Sequence, residues 1–325
     1  MSNKKVTCAL SVCLLGASAM YSAHAAEYYT PMQPGVSTGA PAGALPPPGV
    51  YGNVDTYFLS GRVKDGSGNN VPNVKLNGAD ITGQILYVPG WRFLGASYAM
   101  RFVQPFNLNT IKVSGGPGPN SITGYGMFNT VLTPEMLSWN LGGGNFIGEG
   151  LSIYLKDGDF RHTTYTGAQP KAGYIVGQQM ESSDSIANNF WTFEPNVAYS
   201  YLAGGWNVTL NNTFDFNTKD TTTNYQSGDI YYLDYTVAHS FGPMTFGVIG
   251  NYVQQFTDDS VNGATVPAMG GSNSYGNEYM HASIGPLFTY NIGKAAVTFR
   301  YLYGFAGKNG GNPSFFHFGV SFPIM

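Results

Sequence analysis

The sequence predicts an all-β chain: a transmembrane antiparallel β-barrel of about 12 strands, of the outer-membrane type. Three observations predict it. Segments alternating apolar and polar residues recur along the chain, charged residues are scarce, and the joins between segments alternate short and long. Alternation with a period of two places one residue set on each face of a sheet. Charge amounts to 10% of the 325 residues, against about 25% in a typical soluble domain. The scarcity is not matched by high hydropathy, since the mean is only -0.10. Glycine, with 44 residues, and neutral polar side chains fill the gap. Such a composition suits a wall with lipid on one side and water on the other. The aromatic content, 15%, argues against disorder.

The N-terminus reads as a leader. Lys4 and Lys5 precede an apolar run from Val6 to Met20, and Ala23-His24-Ala25 has the small-x-small form of a cleavage site. Residues 1–25 are therefore read as a signal peptide for export across the inner membrane of a Gram-negative cell. No stretch reaches the roughly 18 apolar residues of a helical span. Both cysteines, Cys8 and Cys13, fall in the leader, so disulfides do not hold the mature chain together. The charge balance is acidic, net -3, which leaves no basic footprint for nucleic acid. Residues 26–49 are rich in Pro and Gly and end in Pro46-Pro47-Pro48-Gly49. They are an extended lead-in, a segment tucked near the barrel mouth, or a disordered linker.

Residues 50–325 form the barrel in this reading. Its clearest part is a hairpin from Asn189 to Thr218. Trp206, Val208, Leu210, Phe214 and Phe216 share one face, and Asn207, Thr209, Asn211, Thr213 and Asp215 the other. Ala203-Gly204-Gly205 supplies the glycines of a tight turn. Trp and Tyr sit toward strand ends, as in the aromatic girdles of outer-membrane barrels. In the first half, segments are expected at Val50–Val63, Asp80–Val88, Trp91–Phe106, Ser121–Val131 and Phe146–Lys156, with a loop from Asp65 to Gly78. Thr133-Pro134-Glu135 is expected to cap a short helical turn running to Trp139. Strands at Asp229–Ser240, Met244–Thr257, Glu278–Tyr290, Lys294–Phe305 and Pro313–Phe322 follow the hairpin. From Phe190 onward the joins alternate: 203–205 short, 219–228 long, 241–243 short, 258–275 long, 291–293 short, 307–312 longer. Short periplasmic turns and longer external loops produce that rhythm, and its phase puts the C-terminus in the periplasm. Pro195 and Pro286 fall on the lipid face of strands, where a missing ladder donor calls for a bulge or a strand end.

Several stretches resemble the family of phenol meta-pathway degradation proteins, regarded as outer-membrane transporters. They are Pro47-Pro48-Gly49-Val50-Tyr51, Asn189-Phe190-Trp191-Thr192-Phe193-Glu194-Pro195, and Tyr225-Gln226-Ser227-Gly228-Asp229 with Leu233-Asp234-Tyr235. Tyr252 with Gln254-Gln255, Thr257-Asp258-Asp259, and Ile284-Gly285-Pro286 match as well. Lys156-Asp157-Gly158 departs from the Pro-Thr-Gly of the family pattern. The resemblance implies a barrel that passes aromatic or other hydrophobic solutes. It supplies no binding residues.

Strand phase places six ionisable residues inside the barrel: Arg101, Glu194, Asp215, Asp234, Arg300 and His317. Should arginine and acid side chains meet there, they form a charged constriction that selects solutes. The alternative is a salt-bridged, hydrated interior that only supports the wall. Glu194 and Asp234 are the preferred candidates. A rival reading is an outer-membrane lipase, because His281-Ala282-Ser283 resembles the His-x-Ser of outer-membrane phospholipases and would pair base with nucleophile. Phase points both side chains into the lumen, and no orienting partner motif follows. A third reading is a structural or adhesive barrel without transport, marked by large folded external loops; the loops here are mostly small for that role, 157–189 being the longest connection. No cofactor, no metal site and no enzymatic activity are expected, since the four mature histidines form no close pair. Expected partners are outer-membrane lipid and lipopolysaccharide, the barrel-assembly machinery, and small hydrophobic or aromatic solutes.

Overall fold

The computed structural model describes residues 30–114, 120–167, 173–268 and 277–324. The signal peptide expected at 1–25 lies outside the described residues. Twelve antiparallel strands form the wall: β1 (Gly49–Lys64), β2 (Asn70–Val88), β3 (Ala96–Val113), β4 (Val131–Gly142), β5 (Asn145–Tyr154), β6 (Thr192–Tyr201), β7 (Trp206–Asn217), β8 (Ile230–Phe241), β9 (Met244–Gln255), β10 (Met280–Ile292), β11 (Ala295–Lys308) and β12 (Gly310–Pro323). Each pairs with the next, and β1 pairs with β12 from Tyr51↔Pro323 to Lys64↔Gly310, which closes the barrel. Closure leaves no unpaired edge, as a sheet that crosses lipid requires.

Side-chain alternation follows the expected phase. On β7, Trp206, Leu210 and Phe216 are 46%, 46% and 45% exposed, while Asn211, Thr213 and Asp215 are 7%, 2% and 0% exposed. The apolar row therefore faces outward and the polar row inward, the inverse of a soluble protein's core. At one rim the joins are short, at 89–95, 143–144, 202–205, 242–243 and 293–294; both chain ends of the wall lie there. Gly204 (φ 59) and Gly205 (φ 83) adopt the left-handed backbone that a tight hairpin turn demands.

Four details depart from expectation. No helical turn follows Thr133; the residues belong to β4, where the register shifts between Leu132 and Glu135 around Pro134. A bulge absorbs the missing proline donor without ending the strand. The loop expected at 65–78 is only 65–69, because β2 begins at Asn70. The join expected at 307–312 is one residue, Asn309, at φ 52. Residues 121–127 form not a wall strand but a hairpin arm on β3, from Phe106↔Met127 to Lys112↔Ser121. Pro195 and Pro286 stay within β6 and β10. Each keeps one neighbour in register, Leu151 and Val248 respectively, and the opposite ladder is interrupted beside it.

The long-loop rim is folded. Short strands at 162–164 and 179–181 pair with each other, as do 225–226 with 260–261 and 260–261 with 264–265. Tyr174, Met180, Tyr225, Val261 and Val266 form a small core between these loops.

Candidate functional site

The described part of the Pro/Gly-rich segment, residues 30–48, lies inside the barrel. It is too poor in periodic apolar residues to form a helix or strand. Instead it makes successive turns, with Val36 N donating to Gln33 O, Thr38 N to Gly35 O, Ala40 N to Ser37 O and Ala44 N to Pro41 O. The remaining backbone groups need partners, and the polar face of the wall supplies them.

Asp234 on β8 accepts from both Ser37 N (2.9 Å) and Ser37 Oγ (2.7 Å). Thr236 Oγ1 accepts from Gly39 N at 2.7 Å, and Ser200 Oγ accepts from Gly43 N at 2.9 Å. Asn207 donates to Gly39 O, Ser138 to Gly43 O, and Asn211 to Ser37 Oγ. On β11, Arg300 Nη1 donates to Val36 O (3.1 Å), to Thr38 O and to Thr38 Oγ1 (3.1 Å). Its Nη2 donates to Tyr57 OH at 3.0 Å, and its Nε to His317 Nδ1 at 2.6 Å. His317 Nε2 in turn lies 2.6 Å from Asp55 Oδ1. A chain of polar groups thus runs from β1 through β12 and β11 to the backbone of the inner segment.

The structure places all six sequence-predicted residues on the lumen side. Glu194, Asp215, Asp234, Arg300 and His317 are buried and Arg101 is half-buried. It does not assemble them into one charged ring. Arg300, His317 and Asp234 act on the inner segment. Arg101, Glu194 and Asp215 form a second group nearer the loop rim. There Tyr154 OH donates to Glu194 Oε2 at 2.8 Å, and Arg101 Nη2 reaches Thr133 Oγ1 at 3.4 Å. The offset of the β6–β7 ladder, Phe193↔Phe216 and Asn196↔Thr213, sets Glu194 opposite Asp215. Arginine and acid side chains form no ion pair in the lumen among the described residues, where the ion pairs are Arg161–Asp184 in the loops and His317–Asp55.

The segment does not fill the interior. Between it and β1, β2, β3 and β12 is a cavity of about 170 Å³. Leu59, Leu76, Ile111 and Phe315 give it apolar walls, with Asp80 and Asn107 among its polar ones. The segment before β1 reads in the sequence as one tucked near the barrel mouth, among other readings, whereas Tyr57, Asp55 and Asp80 are not singled out there. Their roles depend on which strands become neighbours, and that no local pattern reveals. His281 and Ser283 are both buried in the lumen but engage different partners, Asn312 and Asn251. They do not form a base–nucleophile pair.

A closed twelve-strand barrel with an apolar exterior and a polar interior is a β-barrel of the outer-membrane class. The family described as "Putative MetA-pathway of phenol degradation" matches residues 60–313, and the chain belongs to that family. Among solved structures, an outer-membrane channel from Pseudomonas putida F1 is similar, with a TM-score of 0.67 at 13% identity over 90% of this chain and 99% of that one. The translocator domain of the autotransporter NalP from Neisseria meningitidis is less so, at TM-score 0.47 and 11% identity over 85% and 88%. The NanC porin gives TM-score 0.39 at 12% identity over 84% and 100%. Among curated proteins none matches this sequence.

Proposed function

We propose that this chain is a monomeric outer-membrane channel that lets small hydrophobic or aromatic compounds pass down their concentration gradient. The observation that carries the reading is the apolar-walled lumenal cavity beside the inner segment. A lumen built only to be wet and supportive would not line a hollow with Leu59, Leu76, Ile111 and Phe315. The signal peptide delivers the chain, the barrel-assembly machinery inserts it, and its apolar belt meets lipid and lipopolysaccharide. Glu194 and Asp234 bias which solutes traverse the lumen. The inner segment restricts the path, so passage requires that it shift or that solutes move along its flank. The test is reconstitution of the mature chain, with single-channel conductance and liposome uptake of aromatic solutes as readouts. A barrel impermeable to both ions and aromatics removes the proposal.

One observation favours a second reading, a structural or adhesive barrel. The long loops fold together around Tyr174, Met180, Tyr225, Val261 and Val266. Under that reading, cells lacking the protein take up aromatics normally but lose surface attachment.

A further inference from the structure

We infer that the outward face of β1, β2, β3 and the hairpin arm at 121–127, near the loop rim, is a docking site for the phosphorylated glycolipid of the outer leaflet, with Arg62, Lys75 and Lys112 holding its phosphates. The inference rests on the outer-membrane reading and is independent of transport.

Ladder register builds this face in three rows. Residues two apart share a face of a strand, so cross-strand partners define each row. The lowest is Phe58, Ala79, Leu108 and Tyr125, the middle one Ser60, Asn77, Thr110 and Thr123, and the highest Arg62, Lys75, Lys112 and Ser121. Phe58, Leu108 and Tyr125 are exposed, as are all three cations. In the middle row Ser60 Oγ donates to Asn77 Oδ1 at 3.1 Å, and the hydroxyls of Thr110 and Thr123 share a hydrogen bond at 3.0 Å. At about 3.4 Å per residue, the cations stand about 14 Å along the strand above the last apolar row. A strand tilt of about 40° makes that about 10 Å along the membrane normal, which is the depth of head groups rather than of hydrocarbon.

Like charges set directly opposite one another across a ladder destabilise it. Here three cations occupy one row on adjacent strands, and no ion pair among the described residues includes them. The acids of these strands, Asp55 and Asp80, are buried on the other face. Asp65, in the β1–β2 turn, accepts from Ser67 N and Asn69 N. Lys64 and Lys308 add positive charge beside the same turn, where Asn309 N donates to Asp65 O. An anion at the row relieves the repulsion, and a guanidinium fork suits a phosphate in particular. The three tiers match a glycolipid in order: acyl chains against the apolar row, sugar hydroxyls against Ser60, Asn77, Thr110 and Thr123, phosphates against the cations. A plain anionic phospholipid leaves the middle tier unmatched.

The experiment measures binding of lipid A carrying both phosphates, lipid A stripped of both, and phosphatidylglycerol to the refolded, lipid-free chain in detergent by native mass spectrometry. Phosphorylated lipid A is expected to bind about tenfold or more tightly than either other lipid. The triple variant Arg62→Gln, Lys75→Gln, Lys112→Gln is expected to erase that preference. A control pair, Lys156→Gln with Lys219→Gln, changes exposed lysines elsewhere and is expected to keep it. Lys75→Glu serves as the second variant: it sets an acid between two cations, so it folds at least as well without lipid and still loses the preference. Folding is checked by the heat-modifiable gel migration of barrels. Equal affinity for the stripped lipid A overturns the inference, and equal affinity for phosphatidylglycerol reduces it to general anionic attraction and overturns the glycolipid assignment. An undiminished preference in the folded triple variant, or an equal loss in the control pair, also overturns it. Failure of the chain to insert into liposomes removes the membrane reading itself; insertion without the preference removes this site alone.

Discussion

Arg300 shows how much one lumenal side chain organises. A guanidinium offers five donors in a fixed fork, and here they reach the inner segment's carbonyls, Tyr57 and His317 at once. Hydrogen bonds to a charged group are worth about 1.5–3 kcal/mol each at most sites. Arg300→Ala is therefore expected to loosen residues 35–38 and raise the open probability of reconstituted channels about tenfold or more. Single-channel recording reads this directly, and unchanged gating would separate Arg300 from any hold on the segment. Glu194→Ala acts elsewhere: it should alter ion selectivity, seen as a shifted reversal potential, and leave insertion intact. At the loop rim, Asp259 accepts from Tyr225 OH (2.7 Å), Gly228 N (2.7 Å), Gln255 Nε2 (2.8 Å) and Asn277 Nδ2 (3.2 Å). Burial nevertheless pushes its carboxyl up to about 6, from an ordinary value of about 3.9. A group raised on folding favours the folded loops while it is protonated. That contribution is full below about pH 4 and is lost as pH climbs through about 6. Amide hydrogen exchange in residues 225–228 and 259–266, corrected for intrinsic rates, should accelerate over that window, and Asp259→Asn should flatten the response.

Single strands carry the membrane placement. Leu210 sits mid-strand on the outer face of β7, and a lysine there meets hydrocarbon at a cost of about 2–4 kcal/mol. Leu210→Lys is expected to lower the fraction of folded, heat-modifiable barrel in lipid, whereas a lysine at neighbouring lumenal positions should not act through lipid at all. The strands were also what the sequence disclosed best. Period-two alternation in 189–218 and 229–257 reproduces the observed faces, because a wall between lipid and water imposes opposite chemistry on successive residues. The first half was less legible. Around Asn70–Gly78 polar residues and glycine mask a strand, and Thr133-Pro134-Glu135 mimics a helix start where a bulge lies. The six charged candidates were correctly set inside by phase, but their partners were not readable. Opposition of Glu194 to Asp215, or of Asp80 to Asn107, follows from ladder register, which the loops and turns fix and no local pattern encodes.

For the whole molecule, the inner segment decides whether the barrel is a conduit. Ser37 Oγ accepts from Asn211 Nδ2 at 3.0 Å, and residues 26–325 contain no cysteine. A Ser37→Cys, Asn211→Cys pair should therefore join the segment to β7 without competing thiols. Oxidised channels are expected to conduct little and pass little aromatic solute, and reductant should restore both. Equal flux in the two redox states would mean that solutes bypass a stationary segment through the flanking cavity.

The pairing of β1 with β12 has a consequence for biogenesis. The wall can shut only after the C-terminal strand has been synthesised, since that strand supplies half of the seam. Residues 30–48 emerge from the ribosome long before, joined directly to the other half. The inner segment is thus on hand to be enclosed before the last strand of the wall is made, and that strand seals it in.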